Sequence, residues 1–280
     1  MKTRIGLVQM SMEESISANL RKAASMAEEA AEKGAKIICL PELYKSPYFP
    51  QDKKKDVKKY LESQKGESFR AFSKIAKEKN AVIIVPIFEI SGKKQYNTAL
   101  MIGENGKLLA AYRKMHIPHD PKFYEKNYFE EGNRSYKVIK TKYGKIATLI
   151  CFDQWFPEAA RINALNGAEI LFYPTAIGSF AGRHSPEDMH DGWETVQRAH
   201  AIANGVYVAV ANRVGKERGL IFWGQSFVCD SFGKIIAKAS KNKEEVLIAD
   251  LDLSYNKFIQ EGWGFIRNRR PDSYKRLLKK

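Results

Sequence analysis

The sequence predicts an α/β protein of two similar halves, whose sheets lie face to face with helices outside. Apolar strands alternate with amphipathic helices along the whole chain, which is typical of α/β folds. The order strand–helix–strand–helix–strand–hairpin occurs twice, and the two hairpins contain the similar segments 106–112 (GKLLAAY) and 233–239 (GKIIAKA). Because no linker or low-complexity segment separates the halves, we expect a single domain over residues 1–280.

The first half is predicted to contain three buried strands, helical segments between them, and a hairpin. In chain order these are a strand at 4–10, a helix at 15–33, a strand at 36–40, lysine-rich helical stretches up to Lys79, a strand at 81–89, and a hairpin of 97–102 and 107–112. The helix at 15–33 places alanine, leucine and isoleucine on one stripe, and Lys33-Gly34 ends it.

The second half repeats this order and ends in an additional strand and a tail. Its predicted elements are a strand at 145–150, a helix at 157–166, a strand at 169–173, a helix at 188–203, a strand at 206–211, a hairpin of 226–230 and 234–239, and a strand at 246–251. The tail, 253–280, is basic and aromatic and too long to be a frayed end.

The charge composition allows two interpretations. The 47 Lys and Arg residues exceed the 32 Asp and Glu residues and give a formal net charge of +15, as in many nucleic-acid-binding proteins. Much of the excess is lysine interleaved with acids, as at 52–67 and 240–246, which is typical of solvated faces. We therefore expect a small-molecule substrate, and neither nucleic acid nor a membrane, as the partner.

The cysteines and the N-terminus indicate a reducing compartment. Cys39, Cys151 and Cys229 are widely spaced and form no C-x-x-C pair, which argues against a zinc ribbon or a disulfide framework. His116-x-x-His119 is weak metal spacing without a third ligand, so we expect no metal. The chain begins with too short an apolar run for a signal peptide, and we expect a cytoplasmic protein.

The stretch 146–161 (IATLICFDQWFPEAAR) carries the clearest chemical signal. An apolar strand ends at Cys151, and Pro157 with Glu158 begins a helix. Cys151 is therefore expected at the carboxyl end of a strand, where open α/β sheets bind ligands and display nucleophiles. The alternative, a buried structural cysteine, is the commoner situation for this residue type.

Two further reactive side chains follow apolar strands. Glu42 comes after the strand at 36–40, and Lys114 ends the first hairpin. A thiolate requires a nearby base or positive charge, and a lysine ammonium stabilises a developing oxyanion. The three side chains together suit thiol chemistry on an amide, although either charge alone also fits an ordinary surface residue.

Six sequence blocks resemble the nitrilase, or carbon–nitrogen hydrolase, superfamily, and within it the N-carbamoylputrescine amidases most of all. The blocks are PELY (41–44), YRKMHIP (112–118), YEKNYFEEG (124–132), ICFDQWFPEAAR (150–161), FYPTAIGS (172–179) and WGFIRNRRPDSY (263–274). The resemblance implies a four-layer α-β-β-α sandwich of two pseudo-equivalent halves. It also implies a homo-oligomer whose subunits pair through the sandwich faces and the tail 253–280, and a reaction without a cofactor.

The resemblance assigns roles to single residues. It implies that Glu42 is the base, Lys114 the oxyanion-stabilising lysine and Cys151 the nucleophile, and that Glu125 positions the substrate and the lysine. Substrate contacts are expected from five residues in and around the matching blocks: Tyr48, Phe152, Asp153, Trp155 and Ala176.

Two departures from the amidase pattern affect the expected substrate, N-carbamoylputrescine. Phe152 replaces a tryptophan and keeps an aromatic wall, whereas Phe180 replaces a glutamate expected to hold the far amine of the substrate. Acidic residues that could replace this charge are Glu187, Asp188 and Asp191. The alternatives are an ω-amide or an N-carbamoyl amino acid, whose carboxylate would need a cation such as Arg183 or Arg198.

Overall fold

The computed structural model describes residues 1–180 and 186–279. In the helix that begins at Pro186, the side chains are described from Met189 onward. The first half contains strands β1 (Lys2–Gln9), β2 (Ile37–Cys39), β3 (Val82–Ser91), β4 (Lys94–Ile102) and β5 (Leu108–Arg113), with helices α1 (Ile16–Glu32) and α2 (Glu67–Lys79). The second half contains β6 (Ile139–Thr141), β7 (Gly144–Thr148), β8 (Ile170–Thr175), β9 (Gly178–Ser179), β10 (Tyr207–Asn212), β11 (Val214–Glu217), β12 (Leu220–Trp223), β13 (Phe227–Cys229), β14 (Ile235–Lys238) and β15 (Glu245–Asp252), with helices α3 (Pro157–Leu165), α4 (Pro186–Asn204) and α5 (Ser254–Trp263).

The two large sheets have equivalent topologies. The first has the order β15-β1-β2-β3-β4-β5 and the second has the order β14-β13-β10-β8-β7-β6. In each sheet three parallel strands are followed by an antiparallel hairpin, and a sixth strand pairs antiparallel with the first of the three. The prediction of two similar halves is confirmed.

The strand periodicity divides the apolar side chains between two layers of core. Leu7 in β1 belongs to the cluster between the sheets, together with Phe172 of the second sheet, whereas Val8 packs under the helices. Ala27 in α1 and Phe72 in α2 cover this outer face of the first sheet, and alanines let α1 approach it closely. The α-β-β-α layer order predicted from the resemblance is therefore confirmed.

Three local features differ from the sequence prediction. The lysine-rich segment at 52–66 contains only one 3₁₀ turn, Lys58–Tyr60, and α2 begins at Glu67. Val57 and Tyr60 are instead buried in an aromatic cluster, and the lysines between them offer no apolar stripe to a helix. The second difference is that the tail contains the helix α5.

Among the described residues, no helix is long and apolar enough to span a membrane.

The third difference is a small sheet of order β11-β12-β9. Its strand β12 pairs antiparallel with β9, so that Phe222 lies opposite Gly178. A Cβ atom at Gly178 would lie 2.2 Å from the carbonyl oxygen of Ile221, so only glycine permits this close approach. The small sheet connects the end of β10 to the segment after β8, beside the candidate site.

Candidate active site

A cavity of ≈260 Å³ lies where the segments after β5, β7 and β8 converge, beside Met189 of α4. Cys151 and Glu125 border it together with Ala176, and aromatic side chains form much of the remaining wall. An apolar cavity that contains a few convergent polar groups is the usual form of a small-molecule site.

Cys151 lies just beyond the end of β7, at the first residue of a 3₁₀ turn, Cys151–Trp155. Its φ angle is +42°, a left-handed conformation that is strained for a residue with a side chain. The side chain is 7 % exposed, and its thiol donates toward the carbonyl oxygen of Ala176 at 3.9 Å. The turn thus places a buried thiol at the cavity surface, in the nucleophile position that the sequence predicts.

Burial raises the pKa of the Cys151 thiol well above its ordinary value, the Glu42 carboxylate raises it further, and the Lys114 ammonium opposes the rise. The resting side chain is therefore a neutral thiol at pH 7. A reaction at this sulfur consequently needs a base that removes the proton during attack, instead of a preformed thiolate.

Glu42 supplies a carboxylate of suitable geometry. It lies three residues beyond the end of β2 and is fully buried. Its Oε1 atom accepts hydrogen bonds from Lys114 Nζ at 2.8 Å and from Asn97 Nδ2 at 2.7 Å. Its Oε2 atom accepts no hydrogen bond from the part of the chain that the structure describes, so this oxygen is available for a proton.

Lys114 connects two buried carboxylates. Its Nζ atom donates to Glu42 Oε1 at 2.8 Å and to Glu125 Oε2 at 2.7 Å, and all three side chains are fully buried. Burial alone would lower the pKa of the Lys114 ammonium, but Glu125 and Glu42 raise it above its ordinary value. Lys114 is therefore a permanent cation in this site, as an oxyanion-stabilising role requires.

Glu125 is a weakly acidic carboxyl within this network. Burial raises its pKa to about 7, the nearby Glu42 contributes to the rise, and Lys114 opposes it. The hydroxyl of Tyr48 donates to Glu125 Oε1 at 2.6 Å and also favours the ionised form. The protonation state of the network therefore changes close to neutral pH.

The residues expected to contact substrate separate into two groups. Phe152, Trp155 and Ala176 border the cavity. Tyr48 is fully buried behind Glu125, and its hydroxyl is engaged with that carboxylate. Its position gives it an indirect role through Glu125.

Asp153 lies behind the cavity wall instead of bordering it. Its Oδ2 atom accepts from the Tyr112 hydroxyl at 2.8 Å and from the Ile150 amide at 2.9 Å. Its Oδ1 atom accepts from the amide of His116 at 3.1 Å and contacts the His116 ring nitrogen Nδ1 at 2.7 Å. With both oxygens engaged in this way, Asp153 holds the turn that carries Cys151, and it does not border the cavity.

Of the charged residues nominated for the far end of a substrate, the two whose side chains the structure describes, Asp191 and Arg198, do not border the cavity. Asp191 is exposed, and Arg198 donates to the Gly233 carbonyl oxygen on the outer side of α4. The side chains of Glu187, Asp188 and Arg183 lie outside the described residues. Phe180 packs near Phe123, a residue of the cavity wall, with 6.3 Å between ring centroids.

Sequence reasoning missed Asp120, which borders the cavity and lies between the Lys114 and Glu125 blocks. Its place in an irregular loop gave no strand-end signal. Among the described residues, Asp120 and Glu125 are the charged side chains of the cavity wall, and both are acidic. His, Cys, Asp and Glu side chains of the described part of the chain form no cluster of three suited to a metal ion.

The fold and the Cys–Glu–Lys arrangement define a thiol-dependent hydrolase of amide bonds, and comparison identifies its family. The sequence matches the Carbon-nitrogen hydrolase family over residues 4–259, and the chain belongs to this family. It is 41% identical to N-carbamoylputrescine amidase of Arabidopsis thaliana, covering 98% of this chain and 94% of the relative. It is 39% identical to citrullinase of Francisella tularensis, covering 99% and 98%. The crystal structure of a carbon-nitrogen hydrolase from Helicobacter pylori G27 superposes with a TM-score of 0.96 at 38% identity, covering 100% of this chain and 99% of that chain.

Proposed function

We propose that this carbon–nitrogen hydrolase converts N-carbamoylputrescine to putrescine, carbon dioxide and ammonia. The observation that carries the proposal is the buried chain Glu42–Lys114–Glu125 beside the Cys151 thiol, at a cavity whose charged wall residues, among those the structure describes, are carboxylates. The 41% identity to the Arabidopsis amidase supports the same substrate.

The first half of the reaction forms a covalent intermediate. Glu42 removes the thiol proton as the sulfur of Cys151 attacks the carbamoyl carbon. The negative charge that develops on the carbamoyl oxygen is stabilised by Lys114 and by the amide N–H of Phe152, which lies in the first turn of the 3₁₀ segment. Glu42 then returns its proton to the leaving nitrogen, and ammonia departs. The Cys151 sulfur is left bonded to a thiocarbamate whose nitrogen carries the alkyl chain of the substrate.

The second half releases the sulfur. Glu42 removes a proton from water as the water oxygen attacks the thiocarbamate carbon, and Lys114 again faces the developing oxyanion. The carbon–sulfur bond breaks and the sulfur recovers its proton from Glu42. The free carbamate then decomposes to putrescine and carbon dioxide. One carboxylate thus serves both steps, and its Oε2 atom, which has no hydrogen-bond partner among the described residues, supports this.

The charge of the cavity wall favours a cationic substrate over an N-carbamoyl amino acid. The far ammonium of carbamoylputrescine loses its hydration in the cavity and requires a carboxylate or carbonyl partner. Asp120 is one of the two carboxylates of the described cavity wall, and we assign this contact to it. Citrulline is the second candidate because of the 39% identity to the Francisella citrullinase, and it carries both an ammonium and a carboxylate.

The test is a comparison of kcat/KM, from ammonia release, for N-carbamoylputrescine, citrulline, N-carbamoyl-β-alanine and a neutral alkylurea. The proposal predicts the highest value for N-carbamoylputrescine and the lowest for N-carbamoyl-β-alanine. Preference for N-carbamoyl-β-alanine would contradict the proposed cationic specificity, and preference for citrulline would replace the substrate while retaining the mechanism.

We also propose that the protein is a cytoplasmic homo-oligomer that pairs through its C-terminal tail. Three free, buried cysteines support a reducing compartment, and Phe258, Trp263 and Phe265 expose aromatic surface on and after α5. Light scattering during gel filtration should give at least twice the mass of one chain. Trp263→Ala should shift this assembly toward the monomer, and a monomeric parent would contradict the proposal.

A further inference from the structure

Arg213 is a fully buried arginine in the connection from β10 to the small sheet. Its guanidinium donates from Nη2 to the carbonyl oxygens of Glu42 at 2.8 Å and Leu43 at 3.1 Å. Its Nη1 atom donates to the carbonyl oxygen of Ser46 at 3.4 Å. One side chain from the second half of the protein therefore contacts three carbonyl groups of the loop that begins with Glu42.

Glu217, on β11, completes this contact. Its Oε1 atom accepts from Arg213 Nη1 at 2.7 Å, and its Oε2 atom accepts from the backbone amide of Tyr48 at 2.5 Å. The pair consequently holds both ends of the segment 42–48. One end carries the carboxylate that faces Lys114, and the other carries the hydroxyl that holds Glu125.

The loop needs this support because its backbone is not regular. Leu43, directly after Glu42, has a φ angle of +50°, a conformation that is strained for leucine. Carbonyl groups of such a buried turn have no strand or helix partners, and leaving them without donors is costly. An arginine presents several donors in a rigid planar fork, whereas a lysine offers a single ammonium on a flexible stem.

We infer that Arg213 is a positioning residue for the base, and that the Arg213–Glu217 pair fixes where the Glu42 carboxylate stands relative to the Cys151 thiol. The inference rests on the proposed role of Glu42 as the base. A displacement of about 1 Å in a catalytic group costs on the order of a hundredfold in rate. The Arg213–Glu217 pair therefore affects the rate of turnover without contacting the substrate.

The test compares Arg213→Lys with Arg218→Lys, a matched substitution in the same hairpin. Arg218 is half-exposed and pairs with Asp52 on the surface. We expect Arg213→Lys to lower kcat about 10- to 100-fold, to change KM little, and to slow alkylation of Cys151 by iodoacetamide. Arg218→Lys should match the parent in all three measurements.

Glu217→Gln is the second variant, since it keeps the shape of the side chain and replaces one accepting oxygen by a donor. Like Arg213→Lys, it should lower both kcat and the alkylation rate of Cys151. If circular dichroism shows that Arg213→Lys does not fold, the result for Glu217→Gln alone tests the inference. A folded Arg213→Lys or Glu217→Gln variant with parental kcat, or with a lower kcat but a parental alkylation rate, would overturn the inference. Glu42→Gln, measured in parallel, separates the two claims, because parental turnover in that variant would refute the proposed base itself.

Discussion

The hydrogen bond from Tyr48 to Glu125 should set the pH at which the enzyme becomes active. Tyr48→Phe removes a 2.6 Å hydrogen bond to Glu125 Oε1 and keeps the ring that packs against Phe123 and Phe222. A hydrogen bond to a charged group contributes about 1.5–3 kcal/mol, and a pKa difference of one corresponds to about 1.4 kcal/mol. Removal of the Tyr48 hydroxyl should therefore change the pKa of Glu125 by about 1 to 2.

The sign follows from which form of Glu125 the hydrogen bond favours. The Tyr48 hydroxyl stabilises the ionised carboxylate, so its removal raises the pKa of Glu125 above its parental value of about 7. The ionised carboxylate holds Lys114, so activity falls as the pH drops through this pKa. At pH 7, where about half of Glu125 is ionised in the parent, the variant should therefore lose about 5- to 50-fold in kcat/KM, and most of the activity should return as the pH rises.

The assay is kcat/KM from ammonia release as a function of pH for the parent, Tyr48→Phe and the control Tyr44→Phe. Tyr44 is equally buried and loses a comparable hydrogen bond, to Ser68 at 2.6 Å, on the far side of the first sheet from the cavity. The acidic limb should move upward only in Tyr48→Phe. An acidic limb at the parental position, or activity that stays low at every pH, would refute this account of Glu125.

Three further substitutions test the site. Cys151→Ala should abolish ammonia release without unfolding the protein, because a strand-end thiol replaced by methyl loses little packing; retained release would refute the nucleophile. Lys114→Ala should lower kcat by at least about 100-fold, since an electrostatic donor contributes roughly 3 kcal/mol, and should lower the melting temperature because two buried carboxylates lose their cation; parental kcat would argue against oxyanion stabilisation. Asp120→Asn should raise KM for N-carbamoylputrescine more than for a neutral alkylurea, whereas Asp191→Asn, an exposed control, should change neither; equal effects on both substrates would remove Asp120 from ammonium binding.

Much of the fold could be predicted because each half repeats one pattern of buried strands and amphipathic helices. The small sheet β11-β12-β9 could not be predicted from the sequence. Its strand β11 (VGKE) contains a single large apolar residue, and β9 is two residues long, so neither shows strand periodicity. Its register depends on tertiary contacts such as the approach of Ile221 to Gly178, which a local sequence pattern does not encode.

The residues of the candidate site likewise fall into those that could be predicted from the sequence and those that could not. Glu42, Lys114 and Cys151 could be nominated because each follows an apolar strand, and strand ends are where α/β proteins place reactive groups. Glu125 lies in an irregular loop and was available only through the family resemblance. Arg213 gave no signal, because the three carbonyl oxygens to which it donates lie more than 160 residues away along the chain.

The central claim, that the Cys151 sulfur attacks the carbamoyl carbon and ammonia leaves first, is tested most directly by rapid-quench mass spectrometry. The parent enzyme is mixed with N-carbamoylputrescine, quenched in acid and digested, and the peptide that contains Cys151 is weighed. The mechanism predicts a transient mass increase equal to the substrate minus ammonia on this peptide, and none in Cys151→Ala. Turnover with an adduct on another residue would contradict it, as would an adduct that persists in Cys151→Ala.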